Sequence, residues 1–395
     1  MKGPRVFRSL AVLAVGALML SACGDDGGSE TGSGQAGEER TYSIAYVGPL
    51  TGDNANLGIN IRNGAKVAVQ EANKQSGAKI ELKEFDTQGD PAQATTLKER
   101  FINDQSIIGL VGPTFSGETR AVLQPLQEAG LVMVSASATN AAIPTAVPNQ
   151  TVFHRLVPDD DVQGKGLTDY VTKKLAVKRA AYVDDNSEYG KGLADGTRKL
   201  LEGAGVQTVA TEHIDPRGQD FSAAVNTLRP ANPELIFYGG YYSEGGRLRK
   251  QLVDGGVRAR FMSGDGSLDA GFVTAAGAPA AEGALLTCAC KLATEDAGGK
   301  LGEFAKAYKQ AVNAVPGTYS TEGFDAANIL ISGIRAGKTD RRALLDHVEN
   351  LGTYEGVGKS ISFEENGNIK ATGVFVYEVK GGKLNLLGTT EELSR

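Results

Sequence analysis

The sequence predicts an α/β protein with two doubly wound lobes. Two runs of alternating β-rich segments and amphipathic helices follow one another, the first over 41–135 and the second over 163–287. Such alternation is typical of parallel sheets that helices cover on both faces. The chain, at 395 residues, is too long for one typical core and fits two. Later helices and a β-rich tail suggest that the chain crosses back between the lobes.

The first run alternates strands and helices without a break. Its first helix carries Ile61 and Ala65 on one face, and its second begins at Pro91, a residue favoured at the first helical position. These βαβ units predict a parallel sheet. We predict strands at 41–47, 80–85, 107–111 and 131–135, and helices at 57–75, 91–104 and 117–129.

The second run repeats the same pattern after an irregular segment at 136–158. We predict helices at 163–175, 189–203, 221–228 and 244–255, and strands at 179–183, 207–212, 235–238, 260–262 and 284–287. Three late helices are predicted at 301–313, 322–336 and 341–350. A final β-hairpin is predicted at 373–387, with its turn at 380–382.

The N-terminal residues predict export and a lipid anchor. A short basic stretch precedes an apolar run at 10–20, and small residues precede Cys23. Because this run is too short to span a bilayer core of about 30 Å, we predict a signal peptide at 1–22 that is removed before Cys23. Two acyl chains on Cys23 would hold the protein at the membrane, and the polar segment 23–40 would be a flexible tether. The alternative is an ordinary signal peptide with an incidental cysteine. We expect an extracytoplasmic lipoprotein.

Composition and motifs argue against several classes of function. The chain has 41 Lys and Arg against 47 Asp and Glu, a net charge of −6, and no basic cluster, which argues against nucleic acid. Its three histidines lie far apart, and neither a nucleophile elbow nor a dinucleotide or phosphate loop follows a predicted strand. We therefore expect no catalysis, no cofactor and no metal site.

Polar and aromatic side chains follow several predicted strands, at the sheet edge where open α/β sheets bind ligands. The strand 107–111 leads to Ser116 at the start of a helix, whose amides and positive end suit a carboxylate. The strand 131–135 leads to the hydroxyls of Ser137 and Thr139. The second run adds Tyr189, Tyr241 and Asp265. One carboxylate, several hydroxyls and several aromatic rings together suit a zwitterion with an apolar side chain.

At these residues the chain resembles the branched-chain amino-acid binding proteins of ABC importers, a class of type I periplasmic binding protein. The resemblance covers 42–387. It rests on the segments 44–52 (IAYVGPLTG), 85–87 (FDT), 90–94 (DPAQA), 112–116 (GPTFS), 137–140 (SATN), 188–192 (EYGKG), 220–222 (DFS) and 238–241 (YGGY).

The resemblance implies a role for each site residue. Hydroxyl and backbone groups of the first lobe would hold the ligand's carboxylate and part of its ammonium, and Asp265 would take the ammonium from the second lobe. Tyr189 and Tyr241 would close over the ligand, with Phe115 and Tyr319 near its side chain. The ligand-binding residues implied are Leu57, Phe115, Ser116, Ser137, Ala138, Thr139, Tyr189, Tyr241, Asp265 and Tyr319.

Two positions depart from the leucine-type members. Leu57 stands where those proteins commonly have tyrosine, which removes a hydroxyl and enlarges an apolar wall. Asp265 stands where they often have glutamate, which is one methylene longer. Both departures leave an α-amino acid favoured as the ligand.

The resemblance also implies how the lobes are divided. Two doubly wound α/β lobes of the type I periplasmic binding fold would be joined by three crossings, near residues 156, 289 and 363. The first lobe would comprise 41–156 with 290–362, and the second 157–289 with 363–395.

The function implied is capture of a small amino acid, with a branched-chain one favoured, between the two lobes. A monomer would deliver this ligand to an ABC permease and its ATPase subunits. The alternative is a ligand-sensing receptor of the same fold for amides or amino acids, which the lipoprotein motif disfavours.

The pair Cys288 and Cys290 admits three interpretations: a disulfide, a metal pair or two unpaired thiols. On an extended strand the two side chains share one face, near the upper end of the Cα separation that a disulfide allows. Two ligands with no histidine nearby argue against a metal. An oxidising compartment favours the disulfide over free thiols.

Overall fold

Two separate sheets organise the chain in a computed structural model that describes residues 40–370 and 373–395. The predicted signal peptide, Cys23 and nearly all of the predicted tether lie outside the described residues. In the described part, no helix is both long and apolar enough to cross a membrane. The predicted class, an α/β protein with two doubly wound sheets, is confirmed.

The first sheet has five parallel strands in the order β2, β1, β3, β4, β5. Its central strand β3 is buried along its whole length, as expected for a sheet covered on both faces. The strands are β1 (Thr41–Gly48), β2 (Lys79–Asp86), β3 (Ile107–Val111), β4 (Val132–Ser135) and β5 (Phe153–Arg155). The helices between them are α1 (Ala55–Ala72), α2 (Pro91–Ile102) and α3 (Ser116–Glu128).

The second sheet has seven strands in the order β14, β13, β10, β9, β8, β6, β7, and only β13 runs antiparallel to the others. Its helices are α4 (Asp160–Asp169), α5 (Glu188–Gly203), α6 (Ser222–Ala231), α7 (Tyr242–Asp254), α8 (Ala270–Ala276) and α9 (Ala278–Ala281). The later strands, which include a separate hairpin of β11 and β12, complete the list: β6 (Arg179–Asp184), β7 (Gln207–His213), β8 (Leu235–Gly239), β9 (Arg260–Ser263), β10 (Leu285–Cys288), β11 (Tyr354–Glu355), β12 (Ser360–Ile361), β13 (Phe375–Lys380) and β14 (Lys383–Thr389).

The late helices return to the first sheet. The helix α11 (Ser320–Arg335) packs along α1 at very short range. A β-carbon on Gly64 would lie 2.1 Å from the Ser320 carbonyl oxygen, and one on Gly323 would lie 2.3 Å from that of Ile61. Glycine at both positions therefore permits the contact. The helices α10 (Gly299–Val312) and α12 (Arg341–Glu349) also pack on this side, whereas the last helix, α13 (Thr390–Leu393), packs against α4 and β14 of the second sheet. We call each sheet with the helices packed on it a lobe.

One lysine joins segments that lead from one lobe to the other. Lys359 Nζ lies 2.9 Å from the carbonyl oxygen of Leu156, just after β5, and 3.4 Å from that of Ala289, just after β10. It also pairs with the buried Glu322 carboxylate at 2.8 Å. The residue boundaries that we predict for the lobes remain a prediction.

Most differences between predicted and observed elements concern short segments. The first helix ends at Ala72, because the Asn73 side chain bonds both the amide and the carbonyl of Ile80 and so turns the chain into β2. The helix predicted at 163–175 is α4 followed by a π-helical turn, Tyr170–Lys174. The sequence patterns do not reveal β5, the β11 and β12 hairpin, α8, α9 or α13, each of which has seven residues or fewer.

Candidate functional site

Eight of the ten predicted ligand-binding residues surround one narrow cavity between the lobes. Ala138 and Thr139 follow Ser137 in the same loop but do not line the cavity. Gly266 completes the wall. The residues that line it are Leu57, Phe115, Ser116, Ser137, Tyr189, Tyr241, Asp265, Gly266 and Tyr319.

Asp265 is the acidic centre of this cavity. Its carboxylate is buried and accepts hydrogen bonds from the hydroxyls of Tyr189, at 3.0 Å, and Tyr319. The Gly266 amide donates in turn to the Tyr189 oxygen at 2.9 Å. Burial raises the pKa of Asp265, and its hydroxyl contacts act in the opposite direction. Because neither tyrosine brings a positive charge, this carboxylate suits a cationic group of a ligand.

Tyr319 reaches Asp265 from an unusual backbone conformation. Its φ of +68° is in the left-handed region, which non-glycine residues seldom adopt. The residue stands immediately before α11, so this turn aims the phenol into the cavity instead of along the helix. Strain of this kind is concentrated at functional sites, where the surrounding structure maintains it.

The first lobe supplies the opposite wall through two loops that brace each other. The Ser137 hydroxyl donates to the carbonyl oxygen of Thr114 at 2.6 Å, and the Asn140 amide donates to the Ser116 hydroxyl oxygen at 3.2 Å. Ser116 is the first residue of α3, where the helix dipole favours an anion. The Ser116 hydroxyl and the first-turn amides of α3 can donate hydrogen bonds to a carboxylate.

Arg155 fixes the loop that carries the predicted residues Ser137, Ala138 and Thr139. Its fully buried guanidinium donates to the carbonyl oxygens of Ala138, at 3.2 Å, and Asn140, at 2.9 Å. An ion pair of 3.3 Å to Asp159 balances its charge. Sequence reasoning misses this residue, because it lies in the segment predicted as irregular.

An aromatic stack closes the cavity across the two lobes. The Phe115 and Tyr241 rings have centroids 4.2 Å apart, and Tyr189 lies 5.1 Å from Tyr241. Phe115 and Tyr241 each precede a helix whose third residue, Glu118 or Glu244, accepts the hydrogen bond of the aromatic residue's own amide. The two lobes thus present similar helix N-termini to each other. Burial raises the pKa of Glu118 to about 7.

Polar contacts join the lobes at the rim of the cavity. Asn54 donates to Glu244 Oε2 at 3.1 Å and accepts from the Ser243 amide at 3.1 Å. Asn56 donates through its side chain to Asp269 at 2.9 Å. On another part of the rim, Asn140 donates to the Glu188 carbonyl oxygen at 2.8 Å. These contacts define a closed arrangement, and no local sequence signal reveals them.

Cys288 and Cys290 are bonded to each other in the structure, with Cα atoms 5.0 Å apart. Both are buried at the end of β10, next to the Ala289 carbonyl that Lys359 contacts. Over 40–370 and 373–395, no group of three or more His, Cys, Asp or Glu residues is arranged to hold a metal ion.

The sequence profile described as "Periplasmic binding protein" matches residues 41–383, nearly the whole described chain. The chain belongs to the periplasmic binding protein family. This membership confirms the resemblance drawn from the sequence and implies an extracytoplasmic location.

Curated relatives of this family member cover most of its length. A Leu/Ile/Val-binding protein homolog 3 from Brucella melitensis is 32% identical, over 87% of this chain and 92% of its own. The leucine-, isoleucine-, valine-, threonine- and alanine-binding protein of Pseudomonas aeruginosa is 29% identical, over 86% and 90%. Such relatives are binding proteins of transporters, and this periplasmic binding protein is accordingly a solute-binding protein and not an enzyme.

Solved structures agree with this fold. A leucine-binding protein from Thermotoga maritima has a TM-score of 0.80 at 25% identity and covers 88% of this chain and 98% of its own. A branched-chain amino-acid transporter substrate-binding protein from Streptococcus pneumoniae, in complex with isoleucine, has a TM-score of 0.79 at 25% identity, over 88% and 100%.

Proposed function

We propose that this protein is a lipid-anchored binding protein that captures an α-amino acid with a branched apolar side chain and delivers it to an ABC importer. The buried carboxylate of Asp265, which accepts hydrogen bonds from the neutral hydroxyls of Tyr189 and Tyr319, is the single observation that carries the choice of ligand class. A buried anion without a cation is costly, and a ligand ammonium would remove that cost.

The wall opposite Asp265 supports the other half of an amino-acid ligand. Ser116 opens α3, so a carboxylate placed there would meet a helix N-terminus and a hydroxyl. Leu57 and Phe115, both buried, would provide an apolar surface for the side chain. A zwitterion lying between Asp265 and Ser116 would therefore contact both lobes and favour the closed arrangement.

The delivery step and the anchor are proposed on other grounds. Relatives that carry names such as Leu/Ile/Val-binding protein support transport of an amino acid, which implies an ABC permease with its ATPase subunits as the partner. The apolar run and small residues before Cys23 support removal of 1–22 and acylation of Cys23. The protein would act as a monomer.

Calorimetric titration of the full-length protein, extracted from membranes in detergent, tests the ligand class. Leucine, isoleucine and valine should each bind one to one. Glutamate and 4-methyl-2-oxopentanoate, the keto acid that matches leucine, should bind much more weakly. Failure of all three branched-chain amino acids to bind, or equal affinity for leucine and its keto acid, would overturn the proposal.

A further inference from the structure

Among the described residues, three segments carry the chain from one sheet to the other. The first joins β5 to α4, which packs on α5 of the second lobe. The second joins β10 to α10, which packs on α1, and the third leaves α12 and reaches β13. We call these segments the crossings. Because any change in the angle between the lobes must be taken up by the crossings, contacts among them control how the lobes move.

Lys359 lies on the third crossing and contacts the other two. Its Nζ lies 2.9 Å from the carbonyl oxygen of Leu156 on the first crossing and 3.4 Å from that of Ala289 on the second. The carboxylate of Glu322 lies 2.8 Å from the same nitrogen. An ammonium has three N–H bonds, so these three acceptors can use all of them. The ammonium therefore joins the three crossings at one point.

The hairpin of β11 and β12, which carries Lys359, is fixed to the first lobe. The Val357 amide in its turn donates to Asp325 Oδ2 on α11 at 3.0 Å. Gly356 permits this approach, because a β-carbon there would lie 2.5 Å from the same oxygen. Glu322, which is 1% exposed, also belongs to α11. Lys359 is thus held in place by a helix of the first lobe.

The Ala289 carbonyl is fixed to the second lobe. Ala289 directly follows β10, which pairs with β13 in the second sheet. Tyr377 of β13 donates to the Cys290 carbonyl oxygen at 3.4 Å. The disulfide between Cys288 and Cys290 holds the chain on both sides of Ala289. The contact between Lys359 and Ala289 therefore runs from one lobe to the other.

The support of Lys359 is also a support of the ligand cavity. Tyr319, which lines the cavity, stands immediately before α11, and Glu322 lies in the first turn of that helix. The same helix start therefore bonds the ammonium of Lys359 on one side and directs a phenol towards the ligand on the other.

We propose that Lys359 is a positioning residue for ligand capture, and that its ammonium is the pivot about which the two lobes close. An ammonium on a flexible stem is a point charge without a preferred plane, so it can keep its carbonyl contacts while the crossings rotate. Without this pivot the crossings would move independently, and a ligand would have to order a broader ensemble when it binds. The inference rests on the proposed capture between the lobes, but it does not depend on which ligand is captured.

A double variant with two single controls tests the pivot. Lys359→Met alone would leave the Glu322 carboxylate buried without its cation, so it is combined with Glu322→Gln. Glu322→Gln alone keeps the carbonyl contacts of Lys359. Lys300→Met removes a lysine whose ammonium bonds the Glu355 carbonyl oxygen of the same hairpin at 3.0 Å, within the first lobe.

Pulsed electron double resonance on the ligand-free, full-length protein in detergent measures the distance between the lobes. Spin labels on Lys66→Cys in α1 and Lys199→Cys in α5, both exposed positions, report on one lobe each. The double variant should give a clearly broader distance distribution than the wild type. Glu322→Gln and Lys300→Met should each keep the wild-type distribution.

Calorimetry separates the pivot from a direct ligand contact. In the double variant, leucine, isoleucine and valine should each bind about tenfold more weakly, because a ligand that requires the closed form binds less tightly when that form is rarer. The order of preference among the three should not change, since no cavity-lining residue is altered. A loss confined to one of the three ligands would contradict the pivot.

A second variant acts on the same contact from the other side. Cys288→Ser with Cys290→Ser releases the chain around the Ala289 carbonyl and should also broaden the distance distribution, and adding the double variant should broaden it no further. Circular dichroism melting curves identify variants that do not fold. If the folded variants keep the wild-type distribution, the pivot is refuted while the amino-acid function stands. If no amino acid binds the wild type but the distribution broadens as expected, the proposed ligand class fails and the pivot stands.

Discussion

Replacement of Asp265 by asparagine should cost the protein most of its affinity for amino acids. The change keeps the shape of the side chain and an oxygen that can accept from Tyr189, but it removes the buried negative charge. A charge-assisted hydrogen bond contributes about 1.5–3 kcal/mol, and each 1.4 kcal/mol is a factor of ten in Kd. We therefore expect leucine to bind about 10- to 150-fold more weakly.

Calorimetry with leucine and its keto acid separates this role from a structural one. Asp265→Asn should lose affinity for leucine. It should gain no affinity for the keto acid, which has no ammonium group, so the preference for leucine over the keto acid should shrink. Ser116→Ala should weaken leucine less, and Asp254→Asn, on the exposed end of α7, should have no effect. If Asp265 were only a turn residue between two glycines, the variant would melt at a lower temperature with the same ligand preference. That result, or a leucine Kd within about twofold of the wild type, would refute the reasoning.

Four further predictions concern other parts of the molecule. Cys23→Ala should give an unacylated precursor that is not cut before residue 23. Mass spectrometry of the N-terminus checks this, and a variant that still carries acyl chains or is still cut before residue 23 would contradict the prediction. Thiol labelling of the denatured, unreduced protein should leave Cys288 and Cys290 unmodified, and two labelled sites there would rule out the disulfide. Asn56→Ala removes a rim contact of 2.9 Å to the second lobe and should shift the leucine-bound protein towards a more open form, seen as a larger radius of gyration by X-ray scattering. The pKa of buried Glu118 is about 7 against 4.5 in an unfolded chain, so about 3 kcal/mol of stability present below pH 4.5 should be lost as the pH rises through 7, and chemical denaturation should show a flatter pH profile for Glu118→Gln.

The elements that sequence reasoning predicts well are those with a strong period. Helices such as α1 and α5 carry apolar residues on one face over four or more turns, and the apolar β3 lies between two helix patterns with Gly112 directly after it. The ligand-facing residues follow from the same pattern, because the carboxyl ends of parallel strands meet at one edge. Ser116 and Asp265, far apart in sequence, therefore reach the same cavity.

The features that sequence reasoning misses depend on contacts between distant segments. Arginine usually lies at the protein surface, so the sequence gives no sign that Arg155 is buried. Its hydrogen bonds to the carbonyl oxygens of Ala138 and Asn140, which hold their loop in place, are visible only in the folded chain. Asp160 stands in a run of three aspartates, of which local signals cannot tell the buried one from the helix cap or the exposed one. Asn54 and Asn56 look like ordinary loop and helix-start residues until the second lobe is placed against them.

The close packing of α11 on α1 has a consequence for the order in which the protein can fold during export. Under the export that we propose, the chain crosses the membrane with its N-terminus first, yet the partner of the glycine-lined face of α1 begins only at Ser320. Until that late segment emerges, Ile61 and Ala65 lack part of the surface that buries them. The first lobe therefore cannot complete its packing until the segments that form the second sheet up to β10 have emerged. Such long-range contacts slow folding. During that interval the unfinished apolar face is the part of the molecule most exposed to aggregation and to chaperones outside the membrane.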